Sequence, residues 1–174
     1  MAGALILLDS VTASTSATVT LGTTNWDNSY NVYMVTFDNV LPDTNDTHLD
    51  VRFTKTTDNF IDSSSNYYRS VNILKADTSF GTGHSSDANT FYLDYMGTAG
   101  QEQNNGVLYL FNFNNAKEYS FITCETAERS ETGACRSYVG SGMLKVTQAT
   151  NGVSFHASSG NIASGEFKLY ALRK

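Results

Sequence analysis

The chain has 174 residues and an acidic balance, with 17 Asp and Glu against 11 Lys and Arg. A length near 150 residues favours a single domain, here residues 1–174. The missing basic cluster argues against nucleic acid as a partner, and no run approaches the roughly 20 apolar residues that span a bilayer, so we expect no membrane insertion.

The composition favours β-structure. Ten Tyr and ten Phe occur beside a single Pro, and many Thr, Val, Ser, Asn and Gly accompany them. Aromatic and β-branched side chains suit a pleated, half-buried surface, whereas Asn, Asp, Ser and Gly suit turns.

Apolar residues alternate with polar ones along the chain, as in Leu49, Val51 and Phe53, and no segment shows helical spacing. The predicted strands are residues 4–8, 17–21, 30–37, 49–53, 67–74, 91–96, 107–113, 119–124, 138–146, 153–156 and 167–171. Roughly ten short strands separated by turns predict an all-β fold, an antiparallel, jelly-roll-like β-sandwich. Residues 107–113 are apolar on both faces, which predicts a central strand or one against a partner chain.

Three polar stretches, residues 58–66, 79–90 and 97–106, are predicted to be long loops with aromatic residues at their ends. Aromatic rings can bind the apolar face of a sugar while Asn and Asp bind its hydroxyl groups. The candidate glycan-binding residues are Trp26, Tyr67, Tyr68, Tyr92 and Tyr95, with Asn66 and Asp94 as polar helpers. The favoured alternative is that these Tyr rings pack in the core with their hydroxyl groups at its rim.

No arrangement typical of catalysis is present. His48, His84 and His156 lie in no recognisable catalytic motif. A sugar-cleaving enzyme would need two carboxylates at a defined separation, and no motif marks them. We therefore expect no enzymatic activity, no catalytic residues and no cofactor.

Two short patterns allow more than one interpretation. The acidic run from Asp43 to Asp46 has oxygen ligands for a cation but lacks the rest of a calcium loop, so a turn is favoured and no metal site is predicted. Cys124 and Cys135 flank residues 125–134, the predicted loop of a hairpin. Two reduced thiols are favoured over a disulfide, because nothing indicates an oxidising compartment.

The same aromatic residues suit a protein interface, where Tyr, Phe and Met are enriched and Lys and Glu are depleted. We therefore expect the chain to associate with copies of itself, forming a homo-oligomer, and with other structural proteins.

Three segments resemble structural proteins of tailed bacteriophages. Residues 30–44 read YNVYMVTFDNVLPDT, residues 49–53 read LDVRF, and residues 162–172 read IASGEFKLYAL. In those proteins a Tyr-x-x-Tyr strand leads into Phe-x-Asn-Val-x-Pro and then a Leu-x-Val-Arg strand, and a glycine is common where this chain has Ala171. The opening, residues 5–8, 13–14 and 17–21, also fits.

The resemblance implies a β-sandwich module of the kind found in tail fibres, receptor-binding tips and head appendages. It carries over no catalytic residues. It implies structural roles for Tyr33, Phe37 and Pro42, and for Arg52 a pairing with a carboxylate on a neighbouring strand.

The function that follows is that of a virion protein on the particle exterior, a tail or fibre module that attaches to the host, with a host-surface glycan as a further partner. The alternative is a capsid decoration, cement or head-appendage protein without host binding. Because the start of the sequence lacks a signal peptide, we expect synthesis in the host cytoplasm and a final location in the virion.

Overall fold

In a computed structural model, which describes residues 4–77, 79–129 and 133–172, the chain forms twelve β-strands. The strands are β1 Leu5–Ser16, β2 Val19–Gly22, β3 Val32–Pro42, β4 Thr47–Lys55, β5 Tyr67–Lys75, β6 Gly81–Ala88, β7 Phe91–Met96, β8 Asn104–Phe111, β9 Ser120–Arg129, β10 Cys135–Leu144, β11 Thr150–Ala157 and β12 Ile162–Leu172. Among the described residues the single helical element is a 3-10 turn, Thr23–Asn25.

The strands form two antiparallel sheets that pack face to face. The larger sheet has eight strands in the order β1-β12-β3-β8-β9-β10-β5-β6, and the smaller has four in the order β2-β11-β4-β7. The predicted all-β, antiparallel sandwich is therefore confirmed, with twelve strands instead of roughly ten. The two-faced apolar segment at residues 107–113 contributes to β8, which lies in the interior of the larger sheet between β3 and β9, as predicted.

The predicted loop at residues 79–90 is wrong, because β6 occupies most of it. Its residues, Gly-Thr-Gly-His-Ser-Ser-Asp-Ala, include no large apolar side chain, so the alternation that marks a strand is missing. β6 is the edge of the larger sheet and pairs only with β5 among the described strands. An edge strand buries little surface, and backbone pairing alone is enough to hold it.

Other strands are longer than predicted, because backbone pairing continues into polar sequence. β1 extends to Ser16, β8 begins at Asn104 within the predicted loop at residues 97–106, and β9 continues to Arg129. The hairpin between β9 and β10 is confirmed, although its turn is shorter than the predicted residues 125–134.

The core lies between the sheets and forms one continuous cluster of buried apolar side chains. Phe155 of the smaller sheet packs against Phe37 and Phe167 of the larger one, with ring centroids 5.9 and 4.9 Å away. Each such ring stabilises the fold by roughly 1.5–3 kcal/mol through its burial. Tyr33, Phe37 and Pro42, expected to be structural, are all buried.

The two uncertain patterns have plain structural roles. Cys124 and Cys135 are both free, since Cys124 pairs in register with Gly140 and Cys135 with Arg129. Asp43 accepts hydrogen bonds from the backbone and side-chain amides of Asn161, at 2.8 and 2.9 Å, and thereby joins two loops.

Within the described residues, no group of three or more His, Cys, Asp or Glu side chains is placed to hold a metal ion. Those residues also include no helix that is long and apolar enough to cross a membrane. Arg52 donates through Nε to the backbone oxygen of Asn89, and its charge also acts on the carboxyl group of Asp50.

Candidate functional site

The structure distributes the predicted glycan-binding residues over separate places and does not assemble them into one site. Tyr67 is fully buried, and its hydroxyl group accepts from the amide of Phe53 and donates to the backbone oxygen of Asp62. Asn66 lies in the β4–β5 connection, where its backbone oxygen accepts from Lys145. Tyr67 therefore packs in the core, which is the alternative role considered for the Tyr rings, and Asn66 stabilises a loop.

Tyr92 and Tyr95 do lie together, on the outward side of the smaller sheet. The ring of His48 stacks on Tyr92 at 4.7 Å and meets the edge of Tyr95 at 4.2 Å. On the other side of Tyr92, the guanidinium of Arg69 lies 3.4 Å from the ring centroid. Burial, reinforced by Arg69, lowers the pKa of His48, so this stack contains a neutral imidazole near pH 7.

A second histidine on the same face contacts a carboxyl group. His156 Nε2 lies 3.6 Å from Asp50 Oδ2. Burial raises the pKa of Asp50 to about 6 and lowers that of His156 to about 4. With these values His156 is neutral wherever Asp50 is mostly ionised, so near pH 7 the contact is a polar contact and not an ion pair.

Trp26 lies in a pocket at one end of the sandwich. The pocket has a volume of about 370 Å³ and is open to solvent. We call it the Trp26 pocket, and its lining is one indole ring, one alanine and six polar residues: Thr23, Trp26, Asp27, Asn28, Thr56, Asn114, Ala149 and Asn151.

The end of β2 places the indole ring. Gly22 has a φ of 93°, and a Cβ atom there would lie 2.7 Å from the backbone oxygen of Asn151, so only glycine fits. The 3-10 turn follows at once and delivers Trp26 onto the core, where its ring centroid lies 3.8 Å from that of Tyr33. One side of the indole is therefore fixed against protein.

Asn114 holds this pocket together. Its Oδ1 accepts from Trp26 Nε1 at 2.8 Å, and its Nδ2 donates to the hydroxyl of Tyr33 at 2.7 Å and to the backbone oxygen of Tyr30 at 2.8 Å. With these bonds made, Asn114 positions the ring and leaves ligand binding to its neighbours.

The groups available to a ligand are on the rim. Asp27, Asn28 and Thr56 are exposed. Hydrogen bonds from Ser29 lower the pKa of Asp27, so its carboxylate is ionised at neutral pH. It can therefore accept hydrogen bonds from the hydroxyl groups of a ligand. An apolar ring beside a carboxylate, an amide and a hydroxyl group is the combination that a neutral sugar requires.

Asp94, another predicted site residue, is fully buried opposite Glu128 of the larger sheet, which is 5% exposed. The register of β7 on β4 shifts between His48 and Asp50, so that β7 carries one extra residue there. Such a bulge redirects a side chain, and here Asp94 points into the interior. We call Asp94 and Glu128 the buried carboxyl pair.

Burial raises the pKa of both acids, and Asp94 raises that of Glu128 further, whereas the interaction with Glu128 and the charge of Arg136 lower the pKa of Asp94. As ions, neither Glu128 oxygen nor Asp94 Oδ2 has a hydrogen-bond donor among the described residues. Two apposed buried carboxylates avoid this cost by sharing a proton. At this burial a substrate has no access to the pair, although a pair of carboxyl groups is what sugar cleavage would require.

Tyr68 points outward from the larger sheet, as part of what we call the outer face: the side chains of that sheet that point away from the core. Its hydroxyl donates to Asp87 Oδ1 at 2.7 Å and accepts from Lys145 Nζ at 3.2 Å. Other members of the outer face include Tyr109 and Phe121, which are 39% and 40% exposed.

Sequence reasoning identified Trp26 but missed the other residues of its pocket. Asp27 and Asn28 follow Trp26 directly, so a polar pair beside the only tryptophan was a visible signal. Thr56, Ala149 and Asn151 come from distant segments, and only the pairing of β4 with β11 brings them near. Glu128 had no local signal at all.

Comparison with known proteins gives no relative from which to infer a function. No protein family matches the sequence, and no curated protein matches it significantly.

Proposed function

We propose that this chain is an attachment module on the exterior of a bacteriophage particle, and that its Trp26 pocket binds a neutral carbohydrate of the host surface. The observation that carries the proposal is the pocket itself: a single fixed indole ring beside exposed hydrogen-bonding side chains. The resemblance of residues 30–44, 49–53 and 162–172 to phage structural modules suggests the biological setting.

The charge of the pocket favours neutral sugars over acidic ones. Asp27 is ionised, and the whole chain carries a formal net charge of −6. A sialic or uronic acid would bring a second carboxylate close to Asp27, which costs free energy. Hexoses and N-acetylhexosamines carry no such charge.

The test uses the fluorescence of Trp26, which is the only tryptophan in the chain. Any sugar that contacts the pocket should change its emission. We would titrate the folded protein with glucose, galactose, N-acetylglucosamine and their short oligomers, and with sialic acid. Saturable changes with the neutral sugars and none with sialic acid are expected, with dissociation constants on the order of millimolar for single sugars.

Variants on the rim give the test its specificity. Asp27→Ala and Asn28→Ala keep the fluorophore and should each weaken binding by roughly 10-fold, the value of one lost hydrogen bond. Thr24→Ala is the matched control, since Thr24 is exposed in the same turn but does not line the pocket. Unchanged affinity in both rim variants, or no saturable signal with any sugar, would refute the proposed site.

A second candidate function is decoration or cementing of the capsid. It is favoured by the part of the outer face around Tyr109 and Phe121, where exposed side chains carry no charge. Immunogold labelling of intact particles separates the two. Gold at the tail supports attachment, gold over the head supports decoration, and particles without gold would remove the virion setting for both.

A further inference from the structure

The outer face of the larger sheet carries an uncharged band near one end of its strands. The cross-strand register aligns Val32 with Phe111, Phe111 with Phe121, Phe121 with Met143 and Met143 with Tyr68. These outward side chains form one row across five neighbouring strands, and Leu5 extends the row to the edge strand β1, opposite Leu172.

A second row lies beside the first. Leu7 is paired with Tyr170, Tyr170 with Met34, and Met34 with Tyr109. The row then continues through Thr123, which pairs with Tyr109. Leu7 is 54% exposed, so a large apolar surface is left in water at the β1 edge. Contiguous apolar patches of this size mark contact surfaces.

We propose that this band is the centre of a two-fold interface with a second copy of this chain, in which two larger sheets pack face to face. The inference is independent of carbohydrate binding, because the band and the Trp26 pocket share no residue.

The charge distribution makes this band the place where a second copy can dock. Two chains that each carry a formal net charge of −6 repel one another over most of their surfaces. The two rows contain no Asp, Glu, Lys, Arg or His, so contact there places no like charges together. Charges of both signs begin at the margins, with Lys168 bonded to Glu166 on one side and Lys145 at Tyr68 on the other. An apolar centre with a polar rim is the usual composition of an interface.

The size of the band suits the apolar centre of a dimer interface. The band crosses seven strands, from β1 to β5 in sheet order. The strands lie about 4.8 Å apart and the two rows occupy four residues of each strand at about 3.4 Å each, so the band measures about 30 Å by 14 Å, or roughly 400 Å². A standard protein interface buries about 800 Å² on each partner, so the band supplies about half of that area and the polar margins beside it supply the rest.

The geometry of sheets allows this contact. Two twisted sheets pack with their strands about 30° apart and with interdigitating side chains. A two-fold axis that lies in the plane between the two faces turns one face onto the other, so both copies present the same rows, as an isologous interface requires. Tyr and Met provide large contact areas in such interfaces.

The experiment compares the mass of the protein in solution with that of face variants, by sedimentation equilibrium across the micromolar range. Phe121→Lys and Tyr109→Lys each place a charge in the band of both copies. Both side chains are about 40% exposed and point outward, so the fold should persist, which circular dichroism checks. We expect a wild-type dimer and a dissociation constant raised by roughly 100-fold or more in each variant.

Phe60→Lys is the matched control, because Phe60 is 69% exposed on a loop outside the band. It should remain dimeric. A monomeric wild type, an assembly of more than two copies, or dimers that persist in folded Phe121→Lys and Tyr109→Lys would each overturn the proposal. The last result would indicate pairing through the edge strands β1 or β6 instead.

Discussion

At the scale of single residues, the buried carboxyl pair makes stability depend on pH. In the unfolded chain both acids titrate near pH 4, whereas burial raises both pKa values in the folded protein and the charge of Asp94 raises that of Glu128 further. The folded state therefore holds more protons above pH 4, and the free energy of unfolding falls as pH rises through the folded pKa values. In the wild type this fall should be on the order of a few kcal/mol between about pH 5 and pH 9, and Glu128→Gln should remove most of it. Denaturant unfolding at each pH measures the free energy of unfolding of both proteins.

Other groups face the pair, so the variant must be compared at each pH with a control. Arg136 and Tyr138 act on Asp94 electrostatically or by hydrogen bonding, and Asn104 pairs with Glu128 across the sheet. Glu125→Gln removes the same charge from an exposed position on the same strand and should leave the pH profile unchanged. If Glu128→Gln and Glu125→Gln gave the same profile, the proton-sharing interpretation would be wrong.

At the scale of elements, a glycine of β10 allows the two sheets to approach closely. A Cβ atom at Gly142 would lie 2.3 Å from the ring of Phe91 on β7, whereas one at Gly140 would lie 2.3 Å from the backbone oxygen of Ser70 on β5, the neighbouring strand of the same sheet. Gly142→Ala should therefore lower the free energy of unfolding by about 1–3 kcal/mol through overpacking. Ser141→Ala, which lies between the two glycines and is exposed, should change it by less than about 0.5 kcal/mol. Chemical denaturation measures both, and equal effects would contradict the close approach.

At the scale of the whole molecule, one continuous core predicts one cooperative unfolding transition. Two probes test it from separate places: the fluorescence of Trp26 at one end, and the reactivity of Cys124, whose pKa burial raises to about 11. In a Cys135→Ser background, both signals should change at the same guanidinium concentration. Separate midpoints would contradict the prediction of a single domain.

The sequence by itself determined the fold class. One side of β4 is buried, and its apolar residues therefore alternate with polar ones, as in Leu49, Val51 and Phe53. This alternation involves only neighbouring residues, so the sequence shows it directly. The same reasoning predicted that residues 107–113 form a central strand or one against a partner chain, and β8 is an interior strand of the larger sheet. Trp26 was identified as a candidate binding residue because it is one of the aromatic rings that could stack on a sugar.

Only the tertiary structure decided which distant residues meet. β6 was not predicted because this edge strand pairs through its backbone and has no large apolar side chains. Its sequence therefore lacks the alternation of apolar and polar residues. Asp94 faces Glu128 because β7 contains a bulge and the two sheets pack face to face. The two outer rows form because the pairing of seven neighbouring strands aligns their outward side chains. These features depend on contacts between segments far apart in the chain, and local periodicity carries no information about such contacts.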